Sequence, residues 1–417
     1  MRHRSRRAGC HRELVSASTY RPRHLRSGAS RAPVAGPWWP GPLGAITALV
    51  LIGALATVAL KWASPDRTSS SPVVPLAAAS APISVCTQAS IEDRAGLVLV
   101  VGLPGVTTAG DALVDRLAAA GVGGVMLRKE NITGERQARD LVAGLRDRLG
   151  RHLLVAVDDE GGRVSSMTAL GESISTARRL GQRGPDAARA AGRAMGDLLA
   201  SIDADLVLAP VADLDAGPAS GVIGDRSFGD DPTAVGVAAT AFADGLHAAG
   251  VAVTAKHFPG HGGSGDPHVG DAVDPISSDD LLGADLVPFK ALIAGGAEAA
   301  MLGHVEYPRV WGDLPASLEP RAYALLRSLG FRGVAITDAL GMGAVHARFG
   351  FDLAPAMAVA AGADAVLVNQ GDQVDVLRAG LVAAVRDGRL DDRRLNEAVG
   401  RVLELRGQSA AGVSCLG

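Results

Sequence analysis

Short apolar runs rich in β-branched residues recur along the chain at Leu97–Val101, Gly124–Leu127, Leu153–Val157, Leu206–Ala209, Val251–Ala255, Ala299–Leu302, Val334–Thr337 and Ala365–Val368. None alternates with polar residues, so each reads as a strand buried on both faces, as parallel strands are. Between them lie Ala- and Arg-rich stretches such as Ala187–Leu199 and Ala234–Ala249, suited to amphipathic helices. Eight strand–loop–helix units predict an α/β fold, a single TIM-like (β/α)8 barrel with enlarged loops. A doubly wound open sheet is the alternative. No Gly-x-Gly-x-x-Gly turn follows the first run and no P-loop appears, so no nucleotide is expected.

A different pattern precedes the barrel. Leu43–Leu60 carries no charge and is long enough to cross a hydrocarbon core of roughly 30 Å. Trp38 and Trp39 stand before it, and Lys61 and Trp62 after it, as interfacial anchors would. The predicted organisation is a basic cytoplasmic segment (1–42), a transmembrane signal anchor (43–62), a Ser/Pro/Ala-rich tether (63–85) and a catalytic barrel (86–417). A cleaved signal peptide is the rival reading of the apolar run. The body after the anchor is placed outside the cytoplasm, where Cys86 and Cys415 either form a disulfide or remain two thiols.

Composition sharpens this division. The 417 residues are 47% hydrophobic and include 53 glycines and three cysteines, which excludes a disordered chain and a disulfide-dense mini-scaffold. The net charge of −3 hides a polarity. Nine arginines and Lys61 stand against Glu13 in residues 1–61, a net of +9, leaving −12 on the remainder. Beside an apolar span the basic end is a topology signal, and nucleic acid is not the expected partner.

Barrel chemistry sits where strands end and loops begin. Polar residues follow the runs at Asp158-Asp159-Glu160-Gly161-Gly162-Arg163, at Lys256-His257-Phe258-Pro259-Gly260-His261, at His304 and Glu306, and at Asp338. Lys256–His268 is too rich in glycine and proline for a regular element and is expected to be a loop. Its His257, His261, Asp266 and His268 could bind a metal. The preferred reading takes Asp266 and His268 as a pair, because a carboxylate two residues away can orient an imidazole and stabilise its charged form. Asp338 ends an apolar strand, where a carboxylate is costly unless paired, solvated or reactive. A carboxylate nucleophile with a separate proton donor is the apparatus of retaining glycoside hydrolysis.

These residues resemble glycoside hydrolase family 3, specifically its bacterial β-N-acetylglucosaminidase branch. The likeness covers most of residues 91–408 and rests on VAVDDEGGRV (155–164), VIGDRSFG (222–229), AKHFPGHGGSGDPH (255–268) and ITDALGM (336–342). It implies Asp338 as nucleophile, His268 as acid/base with Asp266 as its partner, and Asp158, Arg226, Lys256 and His257 as contacts to sugar hydroxyls. It implies GlcNAc-containing muropeptides or other β-GlcNAc glycosides as substrates, with no cofactor and no metal. A monomer held at the membrane by its N-terminal anchor is expected. Phosphate in place of water as glycosyl acceptor stays open, as do a β-glucosidase specificity and an inactive glycan-binding protein. Gly263-Ser264 and Pro267 depart from the family pattern around the acid/base loop. Ser166 stands where relatives often have a substrate-binding Arg, so that contact is not carried over. Glu160 and Arg163 are expected to brace the Gly-Gly turn, His261 to buttress its loop and Gly341-Met342 to pack; His304 is left between a structural and a sugar-binding role. The helical pattern ends near residue 408, so one barrel is expected to supply the whole site.

Overall fold

The structure, a computed structural model, describes residues 89–262 and 264–408. The basic segment, the apolar span, the tether, the Cys86–Cys415 pair and Gly263 lie outside these. Among the described residues no helix is long and apolar enough to cross a membrane.

Eight parallel strands form the centre: β1 (Leu99–Gly102), β2 (Gly124–Leu127), β3 (Leu154–Val157), β4 (Leu206–Val207), β5 (Ala252–Phe258), β6 (Ala299–Leu302), β7 (Val334–Thr337) and β8 (Val366–Val368). They pair in sequence order, and β8 returns to β1 with Leu99 opposite Val366. At the remaining seam Asp364 N–H donates to Ala335 O at 2.7 Å and Thr337 N–H to Ala365 O at 3.2 Å. The sheet therefore closes on itself, and the open-sheet alternative is excluded. Below that seam Arg327, Arg394 and Arg401 converge on the fully buried Asp364 carboxylate, so its charge is compensated where β7 meets β8.

Apolar runs buried on both faces give two cores. Side chains such as Val101, Val125, Val155 and Val253 point outward under the helices. Met126, Leu208, Met301 and Leu367 point inward and fill the barrel axis. The Ala/Gly-rich helices pack tightly around this cylinder. Helices Pro185–Ser201 and Pro232–Ala248 meet at Gly192 and Gly245, where an added Cβ would lie 2.0 Å from Phe242 O and 2.2 Å from Arg189 O. Only glycine allows that approach. The second of these helices starts where the sequence directs it, with Pro232 in its first turn and the Asp231 carboxylate accepting Ala234 N–H at 2.7 Å.

One expectation is corrected here. Lys256, His257 and Phe258 belong to β5 and not to a loop. Their backbone groups pair with β6, and the register shifts between Lys256 and Phe258, leaving His257 as the extra residue of a bulge. Phe258 then packs outward against Phe289, with ring centroids 5.3 Å apart, while Lys256 and His257 both reach the barrel mouth. After β5 a small sheet of Ala272–Val273, Val305–Tyr307 and Gly312–Pro315 props the long loop that leaves the strand.

Candidate functional site

A cavity of about 290 Å³ opens at the carboxyl ends of the strands. Strand alternation explains its walls. Inward positions of the even-numbered strands supply an apolar floor of Met126, Leu208, Met301 and Leu367. The next inward positions of β3, β5 and β7 supply Asp158, Lys256 and Asp338, all three lining the cavity. Arg226, His257 and His268 line it as well, so the structure brings these six predicted residues to one pocket. Asp266 does not line it and stands behind His268.

One side of the pocket is a buried charge network. The Glu160 carboxylate accepts two bonds from Arg226, at 2.7 and 2.8 Å, and one from Lys256 Nζ at 2.6 Å. Lys256 also reaches Asp158 Oδ1 at 3.4 Å. Burial opposes ionisation of Glu160, but the Arg226 and Lys256 charges outweigh it and hold the carboxyl far below its ordinary range. Burial likewise works against the Lys256 ammonium, and Glu160 and Asp158 reverse it. Glu160 thus faces the pocket, correcting the expectation that it braces the Gly-Gly turn. Arg163 does brace: it donates to Gly221 O at 2.6 Å and Ile223 O at 2.7 Å and pairs with Asp225, tying the β3 loop to the β4 loop.

Behind His257 lies an acid that the motif reading missed. Asp213 is fully buried and accepts from His257 Nδ1 at 2.7 Å, His257 N at 3.1 Å and His261 N at 2.8 Å. With Nδ1–H given to Asp213, His257 Nε2 turns toward Arg226 at 3.3 Å. Asp213 follows the fourth apolar run after Val211-Ala212, and its place at a strand end was the available signal. His261 buttresses the turn as expected, with Ser264 Oγ at 3.0 Å from Nδ1; it also lines the cavity. Burial pushes its imidazole down to about 4, so it is neutral at ordinary pH. Ser264 fits this turn without disturbing it, its hydroxyl donating to His261 O at 2.8 Å.

Asp338 leaves β7 with its N–H on Leu302 O at 2.9 Å, and its Oδ1 accepts Ala339 N–H at 2.7 Å. Burial alone would raise this carboxyl. The neighbouring imidazoles of His304 and His257, the Ala339 N–H and the Lys256 ammonium bring it down to about 2. His304 resolves to the structural role. It is fully buried, with Nδ1 on Ser317 Oγ at 2.7 Å and Nε2–H donating to Ala339 O at 3.0 Å, and it is absent from the cavity wall. Gly341 packs under Gln370, where a Cβ would come within 2.1 Å of Oε1, whereas Met342 reaches the cavity.

The last wall is the loop carrying Asp266 and His268. Asp266 Oδ1 accepts both His268 N, at 2.9 Å, and His268 Nδ1, at 2.8 Å, which leaves Nε2 free to face the pocket. Slight burial disfavours the Asp266 anion, but the two bonds from His268 prevail and keep it ionised. The loop tip rests on the helix after β7: Pro267 O accepts Ala344 N–H at 3.0 Å and His268 O accepts Gly343 N–H at 3.3 Å. Pro267 therefore anchors through its carbonyl. Arg128 and Asn369 also line the cavity, two further residues that motif reading missed. Counting two residues on from the inward Met126 and Leu367 would have found them. Among the described residues no three His, Cys, Asp or Glu side chains are grouped as a metal site.

The chain matches the family described as Glycosyl hydrolase family 3 N terminal domain over residues 92–405. It is 37% identical over 338 residues to a beta-hexosaminidase of Stenotrophomonas maltophilia, covering 75% of this chain and 100% of that protein. It is 41% identical over 269 residues to beta-hexosaminidase LpqI of Mycobacterium tuberculosis, covering 61% of this chain and 68% of that protein. The solved structure of M. tuberculosis LpqI superposes with a TM-score of 0.71 at 36% identity, over 77% of this chain and 94% of that one. A glycoside hydrolase family 3 beta-N-acetylglucosaminidase from Paenibacillus gives a TM-score of 0.72 at 31% identity, over 79% of this chain and 64% of that one.

Proposed function

The chain belongs to glycosyl hydrolase family 3, and from that premise we propose that it releases terminal β-linked GlcNAc through a glycosyl-enzyme formed on Asp338. It is a glycoside hydrolase, and the beta-hexosaminidase relatives and the beta-N-acetylglucosaminidase fold support the sugar. One observation carries the mechanism: Asp338, held ionised, shares a single cavity with His268, whose Nδ1 is fixed by Asp266 at 2.8 Å. Asp338 attacks the anomeric carbon while protonated His268 Nε2 gives its proton to the leaving oxygen. Water then displaces the carboxylate as His268 takes a proton back, so the configuration is retained. Asp266 keeps the imidazole oriented and balances its charge in both steps. Asp158, Lys256, Arg226 and His257 bind the sugar hydroxyls, with Glu160 and Asp213 holding those donors in place.

The natural substrate in this reading is a cell-wall glycan, met outside the cytoplasm by a barrel tethered through the apolar span at 43–62. The family and the charge pattern of the N-terminal segment support it.

The test is release of p-nitrophenol from its β-GlcNAc glycoside by wild type and Asp338→Ala. The variant should lose about 10⁴-fold or more in kcat, and a mechanism-based fluorosugar should label the peptide containing Asp338. Wild type that binds GlcNAc without turnover would make the protein a lectin-like relative instead, and labelling of another carboxylate would remove Asp338 from its role.

A further inference from the structure

Between Asp213, which holds His257, and Arg226, which lines the cavity, the chain makes a surface excursion (215–226). Its neck is closed: Ser227 Oγ donates to Asp213 O at 2.6 Å, and Asp215 N–H donates to Gly229 O at 2.9 Å. The excursion itself has little to bury. Asp215-Ala216-Gly217-Pro218-Ala219-Ser220-Gly221-Val222-Ile223-Gly224 contains one fully buried large apolar side chain, that of Ile223. Its three glycines make ordering costly, so something other than apolar burial must fix its path.

Two arginines supply it from outside. Arg163 takes the carbonyls of Gly221, Val222 and Ile223. Arg178, on the helix Ala177–Arg183, donates to Gly217 O at 2.6 Å, Asp215 O at 2.9 Å and Gly224 O at 2.6 Å. Its helix is a firm post, pressed so closely on the chain after Arg226 that a Cβ on Gly181 would lie 2.0 Å from Phe228 O. The same guanidinium pairs with the Asp215 carboxylate at 3.6 Å. That carboxylate accepts the Gly217 N–H and, at 2.7 Å, the Gly224 N–H. One ion pair thus grips Gly224 by both its N–H and its C=O. Gly224 opens the turn Gly224–Arg226 at a φ of 56°, and a Cβ there would lie 2.4 Å from Ala219 O. The Arg178 and Asp215 side chains are 20% and 15% exposed, and neither residue lines the cavity.

The consequence for Arg226 follows from its five N–H donors. Nε–H and one Nη2–H go to Glu160, one Nη1–H goes to Val222 O at 3.2 Å, and the second Nη2–H faces His257 Nε2 at 3.3 Å. A single hydrogen on Nη1 is left for a ligand, and its direction depends on where Val222 O stands. Glu160 fixes the outer end of the side chain. The excursion fixes Val222 O and the Arg226 backbone, whose N–H donates to Ile223 O at 3.0 Å. We propose that Arg178 and Asp215 are positioning residues for sugar binding, holding as one ion pair the turn that aims the remaining donor of Arg226. The inference rests on the glycosidase reading above, in which Arg226 contacts a sugar hydroxyl. A guanidinium that must be reoriented at each binding event loses affinity while the reacting carboxylate and imidazole stay as they were.

The experiment measures KM and kcat on p-nitrophenyl β-GlcNAc for Arg178→Gln and Asp215→Asn, alone, together, and in an Arg226→Gln background. Each single variant should raise KM about 10-fold and leave kcat within about 3-fold of wild type. The double variant should be no worse than the singles, because the two residues act as one unit. Arg178→Lys, which keeps the charge and loses the fork, should be intermediate. With Arg226 already replaced, Arg178→Gln should add less than about 2-fold to KM. Amide exchange at Gly224 should quicken by about 10-fold or more in both single variants, with the peptide containing Asp338 unchanged. An unchanged KM in the Arg178 and Asp215 variants, where Arg226→Gln raises it, would overturn this inference alone. The same rise with and without Arg226 would also overturn it, making the ion pair a general support of the fold. An unchanged KM in Arg226→Gln would defeat the parent assignment of Arg226 and this inference with it. In a wild type without turnover, which would defeat the glycosidase reading, the Kd for GlcNAc replaces KM in every comparison. Should Arg178→Gln fail to fold, Asp215→Asn carries the comparison, since it removes the charge at nearly constant size.

Discussion

Two walls of the pocket are built on opposite physical principles. The β3–β5 wall is a closed charge network: the side chains of Glu160 and Lys256 are only 4% and 3% exposed, and each is held by two ionic partners. The facing loop carries His268 and Asp266 with side chains 62% and 40% exposed, joined to each other and fastened to the barrel by two backbone carbonyls. Buried charges cannot move apart without leaving an uncompensated ion, so the first wall is rigid. An exposed dyad fastened by backbone contacts costs less to displace, so the second wall is the softer of the two. In the proposed mechanism, binding and proton transfer thus fall to parts of different stiffness.

The largest effect should come from breaking the rigid wall. Glu160→Gln leaves Lys256 and Arg226 without their shared anion, and should cost about 3–5 kcal/mol of stability together with most of the activity. Denaturant unfolding checks this, and an unchanged midpoint would show that the network carries no such load. The sign with pH follows from the depressed carboxyl. Glu160 contributes stability above the ordinary Glu range near 4.5, and that contribution fades as acid protonates it in the fold.

Cutting the exposed wall should do the reverse. His268→Ala should lower kcat roughly 10²–10⁴-fold while stability stays within about 0.5 kcal/mol of wild type. The deficit should be deepest for sugar or alkyl leaving groups and shallow for dinitrophenolate, which departs without a proton. A loss independent of the leaving group would remove His268 from the acid role.

The smallest effect lies at the root of that loop. Asp285 presses on the Gly260 turn, its Cβ 2.9 Å from where a side chain on Gly260 would begin. Burial, followed by the Asp274 and Asp213 charges, pushes Asp285 up to about 6. The folded protein then holds this proton more tightly than the unfolded chain, so stability falls as pH rises from about 4 through 6. Asp285→Asn should raise stability at pH 7.5 by about 1 kcal/mol and flatten that slope. Calorimetric melting across pH 4–8 reads both, and a variant less stable at pH 7.5 than wild type would refute the assignment.

The two walls also differ in how visible they were before folding. The sequence carried the strand order, because eight β-branched runs buried on both faces leave few alternatives to a parallel barrel. Asp158, Lys256 and Asp338 were legible as polar residues standing directly past those runs, and Asp266–His268 as a pair local in sequence. Glu160 was misjudged because its partners, Arg226 and Lys256, lie 66 and 96 residues away, and only the closed barrel brings them to one carboxylate. Asp213 and His304 were missed or undecided for the same reason. The extension of β5 through His257 escaped because a bulge depends on what the neighbouring strand can pair with, which no local pattern encodes.

What the sequence determined by itself was therefore whatever depends on near neighbours: the alternation of strands and helices, the chemical groups at strand ends, and the Asp–x–His dyad. The tertiary structure decided which charges neutralise one another, which imidazoles face the pocket, and that Arg128 and Asn369 join its lining. Those outcomes rest on distances across the barrel, and such distances exist only once the strands have closed.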